Sequence, residues 1–174
     1  MLYAECKQYL IAKLREAGIK TRIYTTKKSL EKCMESHVGA VLFEREECAR
    51  NGSKKRYRDE EGAKHKRRRV FDRSITFSTV IGEYTDDAAE GIFERFLASL
   101  DAGLYVDGNF VEITVEGSDW VDADDSLLRA KIAVQTAVTF QGGLYRDTGY
   151  APLRHVEVKE VERNMMRKEP ANGN

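Results

Sequence analysis

The stretch VFDRSITFSTVIGEY, residues 70–84, decides the fold, because apolar and polar residues alternate along most of its length. Such alternation is typical of a strand that buries one face and leaves the other less buried. The residues that share the predicted buried face are Phe71, Ile75, Phe77, Thr79 and Ile81. The sequence therefore predicts one long strand in the middle of the chain.

A strong helix signal follows directly, in the stretch TDDAAEGIFERFLASL at residues 85–100. Thr85 is a suitable N-cap, and Asp86 and Asp87 place negative charge where the helix dipole favours it. The apolar stripe of this helix consists of Ala88, Ala89, Ile92, Phe93, Phe96, Leu97 and Leu100. We expect the helix to be stopped at Gly103.

Weaker patterns on both sides add further elements. Before the long strand, the sequence predicts a helix over residues 3–17 that Gly18 ends. A strand over residues 19–25, a short helix over 28–36 and a strand over 38–44 are expected to follow it. After the helix it predicts strands over residues 110–115, 129–140 and 153–161. Neighbouring strands joined by about a dozen residues can pair antiparallel.

This order of elements predicts an α+β fold, with a mixed, mainly antiparallel sheet covered by two helices and a long basic loop inserted between strands. We expect a single α+β domain over residues 1–163. The remaining residues, 164–174, are expected to form a flexible C-terminal tail.

The formal charge of the chain sums to zero, but it is unevenly divided. Of the 29 basic and 29 acidic side chains, residues 50–69 hold ten basic and three acidic ones. This segment therefore carries a net charge of +7, and the rest of the chain, with 19 basic and 26 acidic side chains, carries −7. The segment has almost no apolar residues, so we expect an exposed basic loop, irregular or disordered, on an acidic body.

Familiar catalytic and cofactor signatures are absent from the sequence. It has no Walker glycine loop, nucleophile elbow, dinucleotide fingerprint or zinc-type histidine pair. We therefore expect no enzyme, no cofactor and no bound metal. Cys6, Cys33 and Cys48 lack metal-type spacing, and neither a signal peptide nor an apolar run of membrane-spanning length is present. Three reduced thiols in a protein made in the cytoplasm, with no membrane partner, are the expectation.

Two further motifs favour plain structural roles. The stretch DWVDADDS, residues 119–126, has the carboxylates to bind Mg²⁺ or Ca²⁺, but it lacks the central glycine of an EF-hand loop. A solvated turn between two strands is expected there instead. The pair Gly142–Gly143 is expected to mark a strand end with unusual backbone angles, in preference to a phosphate-binding turn.

The basic segment has three possible uses. Polybasic stretches bind nucleic-acid phosphates, and KHKRRR also has the composition of a nuclear signal. Tyr57 is the only aromatic residue in the segment that is available for stacking on bases. An acidic protein surface, including the acidic body of a neighbouring copy, is a second kind of partner. A solvated segment without any partner is the third use.

From Val70 onward the chain resembles the small tail-terminator and neck proteins of tailed bacteriophages and phage-like particles. The resemblance lies in the long strand, in the helix DDAAEGIFERFLASL and in FVEITVEGSDWVDADDSLLRAKIAVQTAVTFQGGLYRD, residues 110–147. It is one of pattern and includes no catalytic motif. The long basic segment departs from what is expected of a minimal terminator.

The resemblance implies a structural role in the tail-neck region of a virion, after synthesis in the bacterial host cytoplasm. Such proteins form a ring, usually a hexamer, that caps the tail tube, ends its polymerisation and offers a docking surface to the head connector. The implied partners are further copies of the chain, the tail tube protein, a connector or stopper protein, the sheath, and DNA passing through the ring lumen. The residues alone offer two alternatives: a nucleic-acid-binding module acting through residues 50–69, and a small metal-dependent enzyme at the aspartate cluster of residues 119–125.

Two sets of site residues follow from this interpretation. The basic set is expected to dock a partner protein and not to line the lumen, because a strongly basic lumen would hold DNA that has to slide through it. Its members are Lys54, Lys55, Arg56, Arg58, Lys64, Lys66, Arg67, Arg68 and Arg69. The set expected at an inter-subunit or tube interface is Trp120, Asp122, Asp124, Asp125, Gly142, Gly143, Tyr145 and Arg146.

Overall fold

The computed structural model describes residues 1–122 and 132–150 of the chain. Its helices are α1 (Leu2–Ala17), α2 (Lys27–Leu30) and α3 (Asp86–Ser99). Its strands are β1 (Ile23–Tyr24), β2 (Val38–Arg50), β3 (Lys54–Arg58), β4 (Lys64–Glu83), β5 (Gly103–Val106), β6 (Asn109–Asp122) and β7 (Ile132–Gly149).

The strands of the described residues form one sheet in the order β1-β2-β4-β7-β6-β5, and β3 pairs with β4 beyond the end of β2. β1 and β2 are parallel, and every other pair is antiparallel. β4 and β7 pair along nearly their whole length, from His65 opposite Gly149 to Glu83 opposite Ile132. The predicted α+β fold with a mixed, mainly antiparallel sheet is confirmed.

Helices α1 and α3 cover one face of the sheet and form the main core with it. The buried centre of α1, Leu10 and Leu14, packs with Phe96 of α3 and with Phe77 and Phe140 of the sheet. The predicted end of α1 at Gly18 and the predicted N-cap of α3 at Thr85 are both confirmed. Gly18 ends α1 with a φ of 119°, which glycine adopts without strain. The Thr85 hydroxyl accepts a hydrogen bond from the Ala88 amide at the start of α3.

The other face of the sheet is only partly covered. Leu30 and Cys33, from α2 and the turn after it, pack on a second cluster that includes Val38, Leu42 and Val80. Further along this face the sheet buries polar groups. The buried hydroxyls of Thr76 and Thr139 lie 2.8 Å apart, and Thr139 donates to Glu116 at 2.5 Å. These bonds satisfy side chains that would be costly to bury alone.

The predicted basic loop is wrong in one respect and confirmed in another. Its residues are indeed exposed or half-buried, but they are strands and not an irregular segment. β3 and the start of β4 form a hairpin whose turn lies at residues 59–63. The segment has no apolar face to bury, yet the backbone groups of β4 find hydrogen-bond partners on β7 and β3. Strand pairing therefore needs no burial of these side chains.

Several other boundaries differ from the sequence prediction. The strand expected at residues 19–25 is reduced to the two residues of β1, and the helix expected at 28–36 to the single turn α2. The long helix ends at Ser99, and Gly103 begins β5, which the sequence pattern did not reveal. The strand predicted at 153–161 and the tail at 164–174 lie outside the described residues.

Replacing Phe96 by alanine should destabilise the fold by about 3–5 kcal/mol, because the ring is fully buried between α3 and the sheet and leaves a cavity. The free energy of unfolding from urea titration measures this effect. The matched control is Leu97→Ala on the same helix, whose side chain is 37% exposed and should contribute much less. Equal losses for the two variants would contradict the packing described for α3.

Candidate docking surface

An arm extends from the core and consists of residues 43–74 and 143–149, with three strands side by side at any level. It contains the second half of β2, all of β3, the first half of β4 and the end of β7. None of these residues is fully buried, whereas Ile75 of β4 and Phe140 of β7 are. At a rise of about 3.3 Å per residue, β4 runs roughly 35 Å beyond Ile75 to its first residue. The arm therefore projects well past the core.

Side chains of alternate residues lie on opposite faces of the arm, and residues paired in register share a face. The register brings seven cations and no carboxylate to one face of the distal part. We call this surface the basic face; its members are Lys54, Arg56, Arg58, Lys64, Lys66, Arg68 and Arg146. Six of them are exposed and Lys66 is half-buried.

Like charges stand directly opposite one another on the basic face. The three opposed pairs between β3 and β4 are Lys54–Arg68, Arg56–Lys66 and Arg58–Lys64. Within residues 1–122 and 132–150, no member of the face takes part in an ion pair, although the Lys66 ammonium lies 5.7 Å from the ring centre of Tyr150. Each opposed pair of like charges destabilises a sheet by a few tenths of a kcal/mol, up to about 1 kcal/mol. The isolated arm thus carries electrostatic repulsion that a bound anion would relieve.

The opposite face of the arm is closed by its own contacts. The Arg67 guanidinium donates twice to the Asp147 carboxylate, at 2.8 and 2.6 Å, and Tyr57 donates to the same carboxylate at 3.1 Å. The Tyr57 ring stacks on His65, and His65 in turn pairs with Asp59 at 2.6 Å. A two-pronged Arg–carboxylate contact is among the strongest that side chains make. This face therefore fixes the hairpin without needing a partner.

These contacts shift the pKa values of the groups involved. Hydrogen bonds from Arg67 hold the pKa of Asp147 below its usual range, and the pKa of Arg67 is raised in return. The hydrogen bond with His65 likewise lowers the pKa of Asp59. In each case the charged form of the group is the one that the folded arm stabilises.

The base of the arm is held by a polar clamp where β2 gives way to β3. The Asn51 side-chain amide donates to both carboxylate oxygens of Asp72, at 3.0 and 2.9 Å, and its oxygen accepts from the Ser53 amide at 2.8 Å. Arg69 pairs with Asp72 at 2.6 Å and donates to the Gly142 carbonyl at 2.6 Å. Arg69 is thus engaged in holding the arm together.

The basic set predicted from the sequence is therefore divided by the structure. Lys55, Arg67 and Arg69 lie on the closed face, and the other six lie on the basic face. Arg146, predicted in the interface set, joins them because β7 pairs it with Arg68. The alternation of Lys54, Arg56 and Arg58 was visible in the sequence. This alternation places the three side chains on one face only if the segment is a strand, and the composition of the segment predicts a loop.

The second predicted set is not brought together as one surface. Trp120 was expected in a turn but lies in β6, where its half-exposed ring packs edge-on against Phe93 of α3 at 6.4 Å. Asp122 is the last described residue of β6, and Asp124 and Asp125 lie outside the described residues. Tyr145 is half-buried on the closed face, with the Arg69 guanidinium 5.8 Å from its ring centre.

The prediction that Gly142 and Gly143 mark a strand end is wrong, because β7 continues to Gly149. Neither has a positive φ, so unusual backbone angles are not the reason for glycine there. Close approach is the reason. A Cβ at Gly142 would lie 3.0 Å from Leu2 Cδ2, and one at Gly143 would lie 2.7 Å from Arg69 Nε. Glycine lets the start of α1 and the Arg69 side chain pack directly on β7.

Among the described residues, no group of three or more His, Cys, Asp or Glu side chains is arranged to hold a metal ion. No helix in that part of the chain is long and apolar enough to cross a membrane. The three cysteines are free thiols, as predicted; Cys6 and Cys33 are buried and Cys48 is exposed. Burial raises the pKa of the Cys6 thiol to about 12.

Comparison with known proteins gives one kind of similarity. No family model matches the chain, and no curated protein matches it. Among solved structures, the chain is similar to a cryo-EM structure of the sheath/tube terminator of PVC, an extracellular contractile injection system, in its extended state. The identity is 14%, the TM-score is 0.49, and the match covers 91% of this chain and 63% of that one. The chain therefore spans less than two thirds of the terminator's length.

The stability of the arm should depend on pH through Asp147 and Asp59. Their pKa values are lowered in the folded arm by hydrogen bonds with Arg67 and His65, so the ionised carboxylates stabilise the arm above the ordinary aspartate pKa. This stabilisation is lost as the pH falls through the lowered values. We expect the distal hairpin to keep its NMR signature from about pH 7 to about pH 5 and to loosen below about pH 4. Carboxyl chemical shifts measure the two titrations directly.

The control for this prediction is Arg67→Gln, which should return the titration of Asp147 towards the ordinary aspartate pKa and leave that of Asp59 nearly unchanged. An ordinary pKa for Asp147 in the unsubstituted chain would contradict the closed face as described.

Proposed function

We propose that this chain is a structural subunit of a phage-like tail, a terminator or neck subunit that assembles with further copies into a ring on the end of the tail tube. The single observation that carries the proposal is the arm. It projects roughly 35 Å past the last fully buried residue of β4 and buries no core of its own, so contact with another molecule is the use it is built for. The proposal assigns no catalytic role to the chain.

The sheet offers further surfaces for assembly. β5 pairs only with residues 109–112 of β6, so the rest of β6 has no strand on its outer side among the described residues. β1 likewise covers only Gly39 and Ala40 of β2. Open strand edges are ready sites for pairing or packing with another chain. Two different surfaces that meet between identical copies give a ring when the rotation closes.

The assignment of the chain to a phage-like tail rests on the sequence resemblance of residues 70–147. In the structure these residues supply most of β4, all of α3, β5 and β6, and most of β7, which together form the centre of the fold. Copies of this chain would form a ring, usually a hexamer in the family that the sequence resembles. The ring would end tube polymerisation and offer the connector a docking surface, with DNA passing through its lumen.

A nucleic-acid-binding module acting through the arm is the second candidate, because the basic face presents seven cations without a carboxylate. Binding of that kind releases counterions and falls steeply as salt concentration rises. It would require the chain to bind duplex DNA in the absence of any tail protein.

The proposed function is tested by adding fluorescently labelled chain to its particle's tail tube protein during tube assembly. We expect label at one end of each tube and a shorter mean tube length as the chain concentration rises, because a cap blocks further addition. Electron micrographs measure length and label position together. A parallel gel shift with duplex DNA at low and high salt covers the second candidate.

Label spread along the tube walls, or unchanged tube lengths, would overturn the terminator role. A salt-sensitive DNA shift together with unchanged tubes would assign the chain to the nucleic-acid class instead.

A further inference from the structure

A second uncompensated surface lies on α3, and its charge is opposite to that of the basic face. Ala89, Ile92 and Phe96 face the core. Four exposed carboxylates lie on the outward side of the helix, at spacings of one, three and four residues. We call them the acidic stripe: Asp86, Asp87, Glu90 and Glu94. Within the part of the chain that the structure describes, no member of the stripe takes part in an ion pair.

Only part of this stripe is explained by the helix itself. Asp86 and Asp87 lie in the first turn, where negative charge stabilises the positive end of the helix dipole. Glu90 and Glu94 lie beyond the first turn, and no lysine of α3 stands four residues after either of them. The local structure therefore gives no reason for the two glutamates.

The two surfaces match in length. From Asp86 to Glu94 the helix rises about 12 Å, at about 1.5 Å per residue. From Lys64 to Arg68 the strand rises about 13 Å, at about 3.3 Å per residue. Three rows of cations spaced along the arm can therefore stand against carboxylates spaced along one side of the helix.

We propose that the basic face of one copy docks on the acidic stripe of a second copy. The contact relieves the repulsion between opposed cations on the arm and pairs the carboxylates that α3 leaves free. It joins two different surfaces, so each copy can give an arm to one neighbour and receive an arm from another. This inference deepens the proposed ring and rests on it for the number of copies and for closure.

A second copy fits the basic face better than nucleic acid does. Apart from residues 50–69, the chain carries a net charge of −7, and this charge would repel a polyanion that approached the arm. Another copy meets no such repulsion, because the summed charge of the chain is zero, and its acidic body attracts the basic face. Tyr150 lies beside the basic face, and its ring is already engaged by Lys66. The basic face therefore offers little for stacking on bases.

The first part of the test measures self-association of the full chain by light scattering and sedimentation. Raising the salt from about 50 mM to about 500 mM should weaken association by at least about tenfold, because exposed charges are screened. Arg56→Glu should weaken it by about tenfold or more at low salt. The matched control is Lys55→Glu, which makes the same change of charge on the adjacent residue and the opposite face. It should alter association by less than about threefold.

Arg56→Glu also provides its own check on folding. It replaces one opposed pair of like charges with an opposed pair of opposite charges, Glu against Lys66. Hydrogen exchange at the arm amides should therefore be slower in this variant as a monomer. Weaker association combined with faster exchange would mean an unfolded arm and would overturn the explanation by lost docking.

The second part identifies the acceptor. Carbodiimide cross-linking of an equal mixture of ¹⁵N-labelled and unlabelled chains, read by mass spectrometry, separates links between copies from links within one chain. We expect links between copies from Lys54, Lys64 and Lys66 to the acidic stripe. Glu90→Gln with Glu94→Gln should remove them and weaken association by about tenfold. The control with the same change of charge is Glu60→Gln with Glu61→Gln at the hairpin turn, which should keep the links.

Several results would overturn the inference. A chain that stays monomeric at low salt, or links that join the arm to carboxylates elsewhere, excludes docking on α3. Salt-sensitive binding of duplex DNA that is lost in Arg56→Glu and unchanged in the Glu90 and Glu94 variant assigns the face to nucleic acid. Tube capping without these links would support the proposed function and contradict the docking of the basic face on α3. Linked assemblies that leave tubes unaffected would support the docking and contradict the proposed function.

Discussion

The structure depends on the pairing of β4 with β7. Over one half of their length the two strands present Phe77, Ile81, Val138 and Phe140 to the helices and form the centre of the core. Over the other half the same ladder continues into solvent as the arm. Because the backbone bonds need no particular side chain, one pair of strands can support both a hydrophobic core and a surface composed almost entirely of charge.

That continuity explains how a highly charged hairpin is held in a defined shape. Like charges opposed across β3 and β4 would separate an isolated pair of strands. Here β4 is fixed on its other side by β7, and Asp147 of β7 binds Arg67 through two hydrogen bonds. The closed face thus supplies the attraction that offsets the repulsion on the basic face, and the arm remains ordered with its cations directed outward.

Charge is separated at two levels in this molecule. Along the chain, residues 50–69 are basic and the remainder is acidic. In space, the arm is divided again into a compensated and an uncompensated face, and α3 has an uncompensated stripe of the opposite sign. A neutral chain with two such surfaces is suited to contact with its own kind, because each contact neutralises charge without adding any.

The sequence by itself determined the elements whose signals are local. Periodicity predicted α1, α3 and the core half of β4, and single residues such as Thr85 and Gly18 marked helix ends. Composition correctly predicted that residues 50–69 stay outside the core. Only the tertiary structure decided that this segment is a hairpin, because the strand that holds its β4 half in place is β7, about 80 residues away in sequence. It also decided which cations are free, since Asp147 is far from Arg67 in sequence and only the strand register brings them together.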